Sequence, residues 1–257
     1  MGQRLGQHFL AKQSILNRIA EAACESPFEL GRPALVIEIG AGRGALTEAL
    51  LARADRVVAI EVDTVLVHYL HQKFRDAVSA GRLSIVEGDV LQTDFAAIGP
   101  KPVITGNLPY YITSPILDRV FSLGSSRWAR AVFLVQAEVA ARLTASPGTR
   151  DMGYLSVQAQ AHASVETLFR VPREAFRPPP KVESAVVRLT PRTLDIADLS
   201  ALLAFAQVCF RHKRKTLRNN LLEVYTAEKL DRLPEGKKRA EQLSIAELTA
   251  LYRKLEG

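Results

Sequence analysis

Short runs of β-branched and aliphatic residues alternate along the first half of the chain with longer stretches in which apolar residues recur at helical spacing. Each run has the length and residue types of a buried strand. The runs occupy residues 34–40, 56–63, 83–89, 102–109 and 129–136. Helical periodicity lies between them, for example at 44–54 and 64–78. This alternation predicts an α/β fold, a doubly wound parallel sheet whose ligand lies beyond the carboxyl ends of the strands.

The pattern changes in the second half of the chain. Two further strands are predicted at 164–172 and 184–190, and because no long helix separates them we expect an antiparallel pair that completes the sheet. From Asp198 onward the periodicity is helical and strand-forming residues are few. We therefore predict two domains, a large α/β domain at 1–191 and a small helical domain at 192–257.

Composition is that of a globular protein that does not cross a membrane. Of the 257 residues, 47% are apolar and 24% are charged, and no apolar run reaches the roughly 18 residues that span a bilayer. The N-terminus lacks the basic and then apolar order of a secretory signal. The cysteines, Cys24 and Cys209, are far apart and outside any CxxC pair, which fits a reducing compartment. We expect a cytoplasmic protein without a bound metal.

The net charge of +7 is concentrated in two stretches. Residues 170–190 carry five basic residues against two acidic ones, and residues 211–218 carry five basic residues and no acidic one. Clustered cations of this kind are typical of proteins that bind nucleic-acid phosphates. A solvated helix face explains the second stretch about equally well when that stretch is taken alone. The candidate RNA-binding residues are Arg211, Lys213, Arg214, Lys215 and Arg218.

A glycine-rich turn follows the first predicted strand, in the sequence Glu-Ile-Gly-Ala-Gly-Arg-Gly-Ala that begins at residue 38. Gly40 and Gly42 lack a Cβ where the backbone must turn tightly and approach a ligand. Glu61 ends the second strand, 21 residues after Gly40, where a carboxylate can accept both hydroxyls of a ribose. These features predict a nucleoside-type cofactor, and they fit a dinucleotide as well as S-adenosylmethionine.

The third strand ends at Asp89 and Val90. An acidic side chain at this strand end can accept the exocyclic amino group of the cofactor's adenine, with Val90 as an apolar neighbour of the ring. Taken alone, Asp89 is more simply explained as a turn or helix-capping residue. Its place at a third neighbouring strand end favours the cofactor contact.

The fourth strand ends in Asn107, Leu108, Pro109 and Tyr110. The exocyclic amine of adenine is a poor nucleophile because its lone pair is delocalised into the ring. The side-chain oxygen of Asn107 and the carbonyl of Leu108 can hold the amine hydrogens out of the base plane and so return the lone pair to nitrogen. Pro109 restricts Leu108 to an extended conformation, and Tyr110 offers a face on which a flipped base can stack. The motif predicts methyl transfer to adenine, and the alternative is a proline turn buried by an aromatic residue.

With these motifs in place, nearly the whole chain resembles the S-adenosylmethionine-dependent ribosomal RNA adenine-N6,N6-dimethyltransferases of the small-subunit (16S) KsgA/RsmA type. The further segments that carry the resemblance are 6–10, 176–184 and 210–221. The resemblance implies a Rossmann-like methyltransferase sheet with a small C-terminal helical domain. It also implies that an N-terminal segment within residues 1–30 faces the cofactor and the RNA.

The resemblance implies roles for residues outside the strand ends. His8 and Leu10 are expected to contact the cofactor; many members of the family carry Asn where this chain has His8, and an imidazole can still donate or accept one hydrogen bond. Phe176, which stands before three consecutive prolines with stiff polyproline II geometry, is expected to close the adenine pocket opposite Tyr110. The alternative for Phe176 is a core anchor for the strand that follows. Tyr111 either lines the pocket or packs beneath it.

We therefore expect an enzyme that dimethylates N6 of two adjacent adenines near the 3′ end of 16S ribosomal RNA, with S-adenosylmethionine as cofactor. The expected catalytic residues are Asn107, Leu108, Pro109, Tyr110 and Phe176, and the expected cofactor-binding residues are His8, Leu10, Gly40, Gly42, Glu61, Asp89, Val90 and Asn107. The expected partner is the small ribosomal subunit, and the free protein is expected to be a monomer. The alternatives are a large-subunit methyltransferase of the antibiotic-resistance type and a non-catalytic ribosome-assembly or transcription factor.

Overall fold

The computed structural model of the chain describes residues 8–25 and 31–256. Its strands are β1 (Phe9–Leu10), β2 (Leu35–Ile39), β3 (Arg56–Glu61), β4 (Leu83–Glu87), β5 (Val103–Asn107), β6 (Arg130–Gln136), β7 (Ala163–Val171), β8 (Phe176–Arg177) and β9 (Ser184–Pro191). Its α-helices are α1 (Gln13–Cys24), α2 (Ala45–Leu51), α3 (Thr64–Lys73), α4 (Arg75–Ser79), α5 (Phe95–Ile98), α6 (Thr113–Phe121), α7 (Ala137–Leu143), α8 (Tyr154–His162), α9 (Leu199–Cys209), α10 (Leu217–Leu221), α11 (Ala227–Asp231) and α12 (Ile245–Glu256). Short 3-10 helices span Tyr110–Ile112, Arg173–Ala175, Pro234–Lys237 and Ala240–Gln242.

Seven strands form one sheet in the order β4-β3-β2-β5-β6-β9-β7. The pairs from β4 across to β6 are parallel, and β9 pairs antiparallel with β6. The predicted doubly wound α/β sheet is therefore confirmed, and both late strands join it. Because β2 to β5 are parallel, their carboxyl ends meet along one edge of the sheet.

The central strands are apolar on both faces because helices cover both sides of the sheet. All five residues of β2 are buried. Helix α1 packs its apolar residues, among them Ile15 and Ile19, into the same cluster as Val36 of β2. Gly106 in β5 allows a close approach of β2, since a Cβ at this position would lie 2.4 Å from the carbonyl oxygen of Ile39. The sheet is thus a closely packed support for the loops at its carboxyl edge.

The helical stretch predicted at 64–78 is divided in the structure. Helices α3 and α4 meet at Phe74, whose φ of −111° and ψ of 28° interrupt the helical backbone. The Phe74 ring packs against Gly44, where a Cβ would lie 2.4 Å from a ring carbon. The interruption comes from this tertiary contact, which the periodicity of the stretch does not encode.

The described chain divides into two compact units. The first is built on the seven-stranded sheet and comprises the residues through Ala140 together with Val165–Pro191. The second comprises Ala141–Ser164 and the residues from Arg192 onward. The predicted domain boundary after residue 191 coincides with the point at which the chain returns to the second unit. The segment Ala141–Ser164, which falls within the predicted first domain, also belongs to the second unit.

The second unit includes α8 because that helix shares its core. Val157 of α8 is fully buried in one apolar cluster with Leu202 of α9 and Leu248 of α12. The basic residues from Arg211 to Lys215 lie in a loop between α9 and α10 instead of on a helix. Within the described residues, no helix is both long and apolar enough to cross a membrane.

Candidate active site

A cavity of about 980 Å³ opens at the carboxyl edge of the sheet, within the first unit. Its size is in the range of small-molecule and cofactor sites. The predicted residues that line it are His8, Leu10, Gly40, Gly42, Glu61, Asp89, Val90, Asn107, Leu108, Pro109 and Tyr110. The structure therefore brings together residues that lie up to about one hundred positions apart in the chain, as the strand-end argument predicts.

The glycine-rich turn forms one wall of the cavity. Gly40 and Gly42 have φ values of 70° and 57°, a region that side chains other than glycine rarely adopt. A Cβ on Gly42 would also lie 3.1 Å from the ring of Phe9, which packs over the turn. The absence of side chains at these positions keeps the backbone open to a ligand, as predicted.

Glu61 is buried and fixes the glycine-rich turn. Its Oε2 accepts a hydrogen bond of 2.8 Å from the amide of Gly42. Its Oε1 accepts hydrogen bonds of 3.0 Å from the amides of Val62 and Asp63. A carboxylate has about four acceptor positions, so one remains for a ribose hydroxyl while three organise the surrounding backbone. This second role of Glu61 is not visible in the sequence.

Asp89 forms a turn and also lines the cavity, so it has the features of both roles considered from the sequence. Its Oδ1 accepts a hydrogen bond of 2.9 Å from the amide of Leu91, which closes a local turn. The same exposed side chain lines the cavity beside the buried Val90. Turn formation therefore does not exclude a cofactor contact, because it uses only one of the two carboxylate oxygens.

Asn107 and Leu108, the residues predicted to accept hydrogen bonds from an adenine amine, both line the cavity. The Nδ2 of Asn107 donates a hydrogen bond of 3.0 Å to the carbonyl of His8, which orients the amide. Within the described residues, no donor is bonded to the Oδ1 of Asn107 or to the carbonyl of Leu108. The Leu108 amide is held by a hydrogen bond of 3.0 Å to the Leu134 carbonyl, and Pro109 has a φ of −59° and ψ of 128°. The Asn107 Oδ1 is therefore free of a donor within the described residues, while Leu108, which is 1% exposed, has its backbone fixed at the cavity wall.

Tyr110 is anchored by a residue to which the sequence assigned no role. Its hydroxyl lies 2.7 Å from the Oγ of Ser184, a fully buried residue at the start of β9. Burial raises the pKa of Tyr110, so its hydroxyl stays protonated at neutral pH. The ring centroid lies 6.0 Å from that of His8. The signal in the sequence was the position of Ser184 at the end of the segment 176–184, but only the fold brings it to Tyr110.

The N-terminal segment crosses the cavity as β1, which pairs antiparallel with β8. The Nδ1 of His8 donates a hydrogen bond of 2.9 Å to the carbonyl of Pro178. The imidazole of His8 therefore ties this segment to the proline-rich loop. Gly6 and Gln7, which belong to the same motif, lie outside the described residues.

Phe176 does not lie at the position in the cavity that the resemblance implies. It is fully buried in the main core and does not line the cavity. It pairs with Leu10 across β1 and β8. Because side chains alternate along a strand, Phe176 faces the core while the next residue, Arg177, lines the cavity with Pro178. The alternative explanation, a core anchor, describes Phe176 in this structure.

Glu38 is a cavity residue that sequence reasoning missed. It lies in β2, two residues before Gly40, and is 1% exposed. The hydroxyl of Thr47 donates a hydrogen bond of 2.5 Å to its Oε2. Burial raises the pKa of Glu38 from 4.5 to about 8; the Thr47 hydroxyl opposes this shift and the nearby Glu61 adds to it. The available signal was a single acidic residue inside an otherwise apolar strand.

The raised pKa of Glu38 predicts a pH dependence of folding. Between pH 4.5 and about 8 the folded state retains a proton that the unfolded state has lost, so the free energy of unfolding falls as the pH rises through this interval. The slope for one such group is at most roughly 1.4 kcal/mol per pH unit. Urea unfolding from pH 5 to 9 measures it. Glu38→Gln is expected to flatten this slope, whereas Glu48→Gln, at an exposed position on α2, is expected to keep it. Equal slopes for Glu38→Gln and the wild type would contradict the assignment.

The basic stretch lies in the second unit, and its cations differ in environment. Arg211 forms an ion pair with Glu223, and Arg218 forms one with Asp231. Lys213, Arg214 and Lys215 are exposed. The Nζ of Lys213 donates to the carbonyl of Arg150, a further exposed cation from the segment before α8. Three of the five predicted residues are therefore free of carboxylate partners within the described residues.

A buried asparagine organises this loop. The Nδ2 of Asn220 donates to the carbonyls of Cys209 and His212, at 2.8 and 3.2 Å. Its Oδ1 accepts a hydrogen bond of 3.2 Å from the His212 amide. Asn220 is 1% exposed, so these bonds satisfy a polar group that burial would otherwise penalise. The loop that carries the cations therefore has a defined backbone.

The parallel sheet, the glycine-rich turn bonded to Glu61 and the cavity wall that contains Asn107 and Leu108 together define the class of Rossmann-like, S-adenosylmethionine-dependent methyltransferases. Within that class, the family model described as ribosomal RNA adenine dimethylase matches residues 2–256. The chain belongs to this family, which confirms the resemblance seen in the sequence.

Curated relatives cover nearly the full chain. A protein of Acidobacterium capsulatum named ribosomal RNA small subunit methyltransferase A is 43% identical, over 98% of this chain and 90% of its own length. A protein of Chlorobium chlorochromatii with the same name is 41% identical, over 97% of this chain and 92% of its own length. These relatives and the family model agree in marking the chain as a ribosomal RNA methyltransferase enzyme.

Two solved structures are similar over the full length of the chain. A dimethyladenosine transferase from Plasmodium falciparum superposes with a TM-score of 0.79 at 27% identity, covering 97% of this chain and 98% of that one. The 23S ribosomal RNA methyltransferase ErmE superposes with a TM-score of 0.73 at 26% identity, covering 97% of this chain and 100% of that one. A dimethyladenosine transferase and a 23S ribosomal RNA methyltransferase therefore share this architecture.

Proposed function

We propose that the protein dimethylates N6 of two adjacent adenines near the 3′ end of 16S ribosomal RNA, with S-adenosylmethionine as methyl donor, and so acts in ribosome biogenesis. The observation that carries this proposal is the placement of Asn107 and Leu108 in the cavity wall beside the anchored Tyr110, with no donor bonded to the Asn107 Oδ1 within the described residues. The small-subunit assignment is supported by the names of the curated relatives.

The cavity fits the cofactor. Gly40 and Gly42 leave the backbone accessible, Glu61 keeps one acceptor position for a ribose hydroxyl, and Asp89 keeps one oxygen for the amino group of an adenine ring. When bound, S-adenosylmethionine supplies a methyl group on a positively charged sulfur. The uncharged side chain of Asn107 leaves that charge unneutralised at the reacting end of the cavity.

The residues act on the target adenine by positioning it. The Asn107 Oδ1 and the Leu108 carbonyl accept the two amine hydrogens, which localises the lone pair on nitrogen. Tyr110, fixed by Ser184, offers its ring to the flipped base. The proton lost from the amine can pass to water, so alignment of the reactants rather than general base catalysis accounts for the rate.

The large-subunit alternative is less well supported. ErmE, whose name gives 23S RNA as its target, is 26% identical, whereas the small-subunit relatives reach 43%. The alternative of a non-catalytic factor is opposed by the intact Asn107, Leu108 and Pro109, which line the cavity. A monomeric state and a cytoplasmic location stay predictions.

Methylation of purified ribosomal subunits tests the proposal. The wild-type protein, supplied with labelled S-adenosylmethionine, is expected to label small subunits purified from cells lacking the protein, and not large subunits from the same cells. Mass spectrometry of RNA from cells lacking the protein is expected to lack N6,N6-dimethyladenosine near the 3′ end of 16S RNA, and complementation is expected to restore it. Loss from the large subunit alone would favour the resistance-type branch, and no loss from either would favour the non-catalytic factor.

Replacing Lys213, Arg214 and Lys215 by Ala tests the RNA-binding role of the basic loop. If the exposed cations bind phosphates, the triple variant is expected to bind RNA more weakly, with a flatter salt dependence. Each lost contact to a duplex-like target lowers the slope of log K against log salt by about 0.9. Binding titrations at several salt concentrations measure both effects.

The control for the triple variant removes the same number of charges elsewhere in the second unit, at Arg232, Lys237 and Lys254. This control is expected to retain most of the slope. Both variants are expected to bind S-adenosylmethionine normally, because the cofactor residues lie in the first unit. An equal loss of slope in both variants would show that the basic loop has no special role.

A further inference from the structure

Tyr111 is the most exposed tyrosine of the described residues, at 63%. It lines the mouth of the same cavity as Asn107 and Tyr110. Within the described residues, the Tyr111 side chain makes no hydrogen bond and no ring contact. A single exposed aromatic side chain is common on protein surfaces, so the feature that singles out Tyr111 is its place in the lining of the candidate active site.

The backbone presents the two tyrosines differently. Tyr110–Ile112 form a 3-10 helix, in which successive side chains point about 120° apart. Tyr110 turns inward to Ser184, and Tyr111 therefore turns outward. The Pro109 carbonyl accepts hydrogen bonds of 3.1 Å from both the Ile112 amide and the Thr113 hydroxyl, which fix the turn. An aromatic ring on a fixed turn loses little conformational freedom when it binds.

The chemistry at the cavity mouth suggests what binds there. An adenine that enters the cavity leaves its base stack, and the base next to it in the RNA strand then lacks a stacking partner on one side. Aromatic side chains serve as such partners in single-stranded RNA recognition, without requiring a particular base. Arg43 and Arg177, both exposed, line the same cavity and place positive charge near the path of the RNA backbone.

We propose that Tyr111 stacks on the nucleotide adjacent to the target adenine and thereby positions the target strand at the cavity mouth. This inference rests on the proposed function, because it assumes an RNA adenine as the methyl acceptor. It gives Tyr111 a role distinct from that of Tyr110. Tyr110 faces the reacting base, whereas Tyr111 holds its neighbour and contributes to substrate affinity.

The test combines protein variants with altered RNA. Single-turnover methylation is measured on an RNA with one target adenine, and on matched RNAs in which the base on the 5′ or the 3′ side is abasic. Tyr111→Ala is expected to raise the RNA concentration needed for half-maximal rate by about five- to tenfold, the lower part of the range for stacking on one base. Tyr111→Phe keeps the ring and is expected to behave like the wild type. Tyr69→Ala, at a 45% exposed tyrosine of α3 outside the cavity lining, is the matched control.

The decisive result is non-additivity. The wild type is expected to lose affinity for one of the two abasic RNAs, and Tyr111→Ala is expected to lose no more on that RNA, because the contact is already absent. Equal losses in both proteins, or normal kinetics of Tyr111→Ala on the intact RNA, would overturn the proposal. If the wild type methylates no RNA adenine at all, the proposed function fails first, and the two failures are thereby distinguished.

Discussion

Asn107→Ala is expected to fold and to slow methyl transfer by about 10²- to 10³-fold, the loss typical of removing one fixed hydrogen-bonding group from an active site. The variant lacks the Oδ1 that accepts one amine hydrogen, so the Leu108 carbonyl alone cannot hold the amine out of the base plane. Single-turnover kinetics with saturating cofactor and RNA measures the step directly. A near-normal rate would contradict the account of lone-pair localisation.

A second effect of this substitution has to be separated from the first. The Nδ2 of Asn107 also binds the carbonyl of His8, so Ala frees the N-terminal segment that crosses the cavity. Asn107→Asp keeps acceptor oxygens but cannot donate to His8. Asn107→Asp also adds a negative charge that attracts the sulfonium, so only a loss of cofactor affinity that calorimetry finds in both variants is assigned to this bond. If the rate loss of Asn107→Ala disappears once the cofactor is saturating, the defect lies in binding and not in the transfer step.

The strand ends could be predicted because their chemistry is local in sequence. A parallel sheet collects the carboxyl ends of its strands at one edge, so Gly40, Glu61, Asp89 and Asn107 meet whatever the details of packing. The role of each of these residues could be predicted from its position at the end of a strand.

Phe176 and Ser184 could not be placed in this way. Whether Phe176 faces the cavity or the core depends on the register of β8 against β1, and a shift of one residue would exchange it with Arg177. The contact of Ser184 with Tyr110 joins the start of β9 to the 3-10 helix that follows β5. Contacts of this kind follow from tertiary geometry and leave no periodic signal in the chain.

Glu38 and α8 escaped prediction for a different reason. The apolar residues around Glu38 are sufficient to predict strand β2. The burial of Glu38 in the structure shows that its carboxyl group is part of the cavity wall. Helix α8 precedes the last strands in sequence but shares the core of the second unit. The apolar pattern of α8 predicts that the helix is buried but does not identify the helices against which it packs.

Glu61→Ala is expected to weaken S-adenosylmethionine binding by about 1.5 to 3 kcal/mol or more, roughly a 10- to 150-fold rise in Kd. The lower figure corresponds to the loss of a charge-assisted hydrogen bond to the ribose. The structure adds a second cost, because the amides of Gly42, Val62 and Asp63 lose their acceptor and the glycine-rich turn is no longer tied to β3. The variant is therefore expected to lose some stability as well as affinity.

Calorimetric titration at a temperature where circular dichroism shows a folded protein separates affinity from stability. Glu87→Ala is the matched control, since Glu87 ends the neighbouring strand β4 in register with Glu61, accepts a hydrogen bond from Thr64 and lies outside the cavity lining. It is expected to bind the cofactor as the wild type does. Glu61→Gln, which keeps one acceptor oxygen, is expected to bind the cofactor with an affinity between that of Glu61→Ala and that of the wild type. Unchanged affinity of Glu61→Ala would remove Glu61 from the cofactor site, because the carboxylate would then serve only to hold the turn. Tighter binding of NAD than of S-adenosylmethionine by the wild type would instead contradict the assignment of S-adenosylmethionine as the cofactor, since Glu61 can bind the ribose of either molecule.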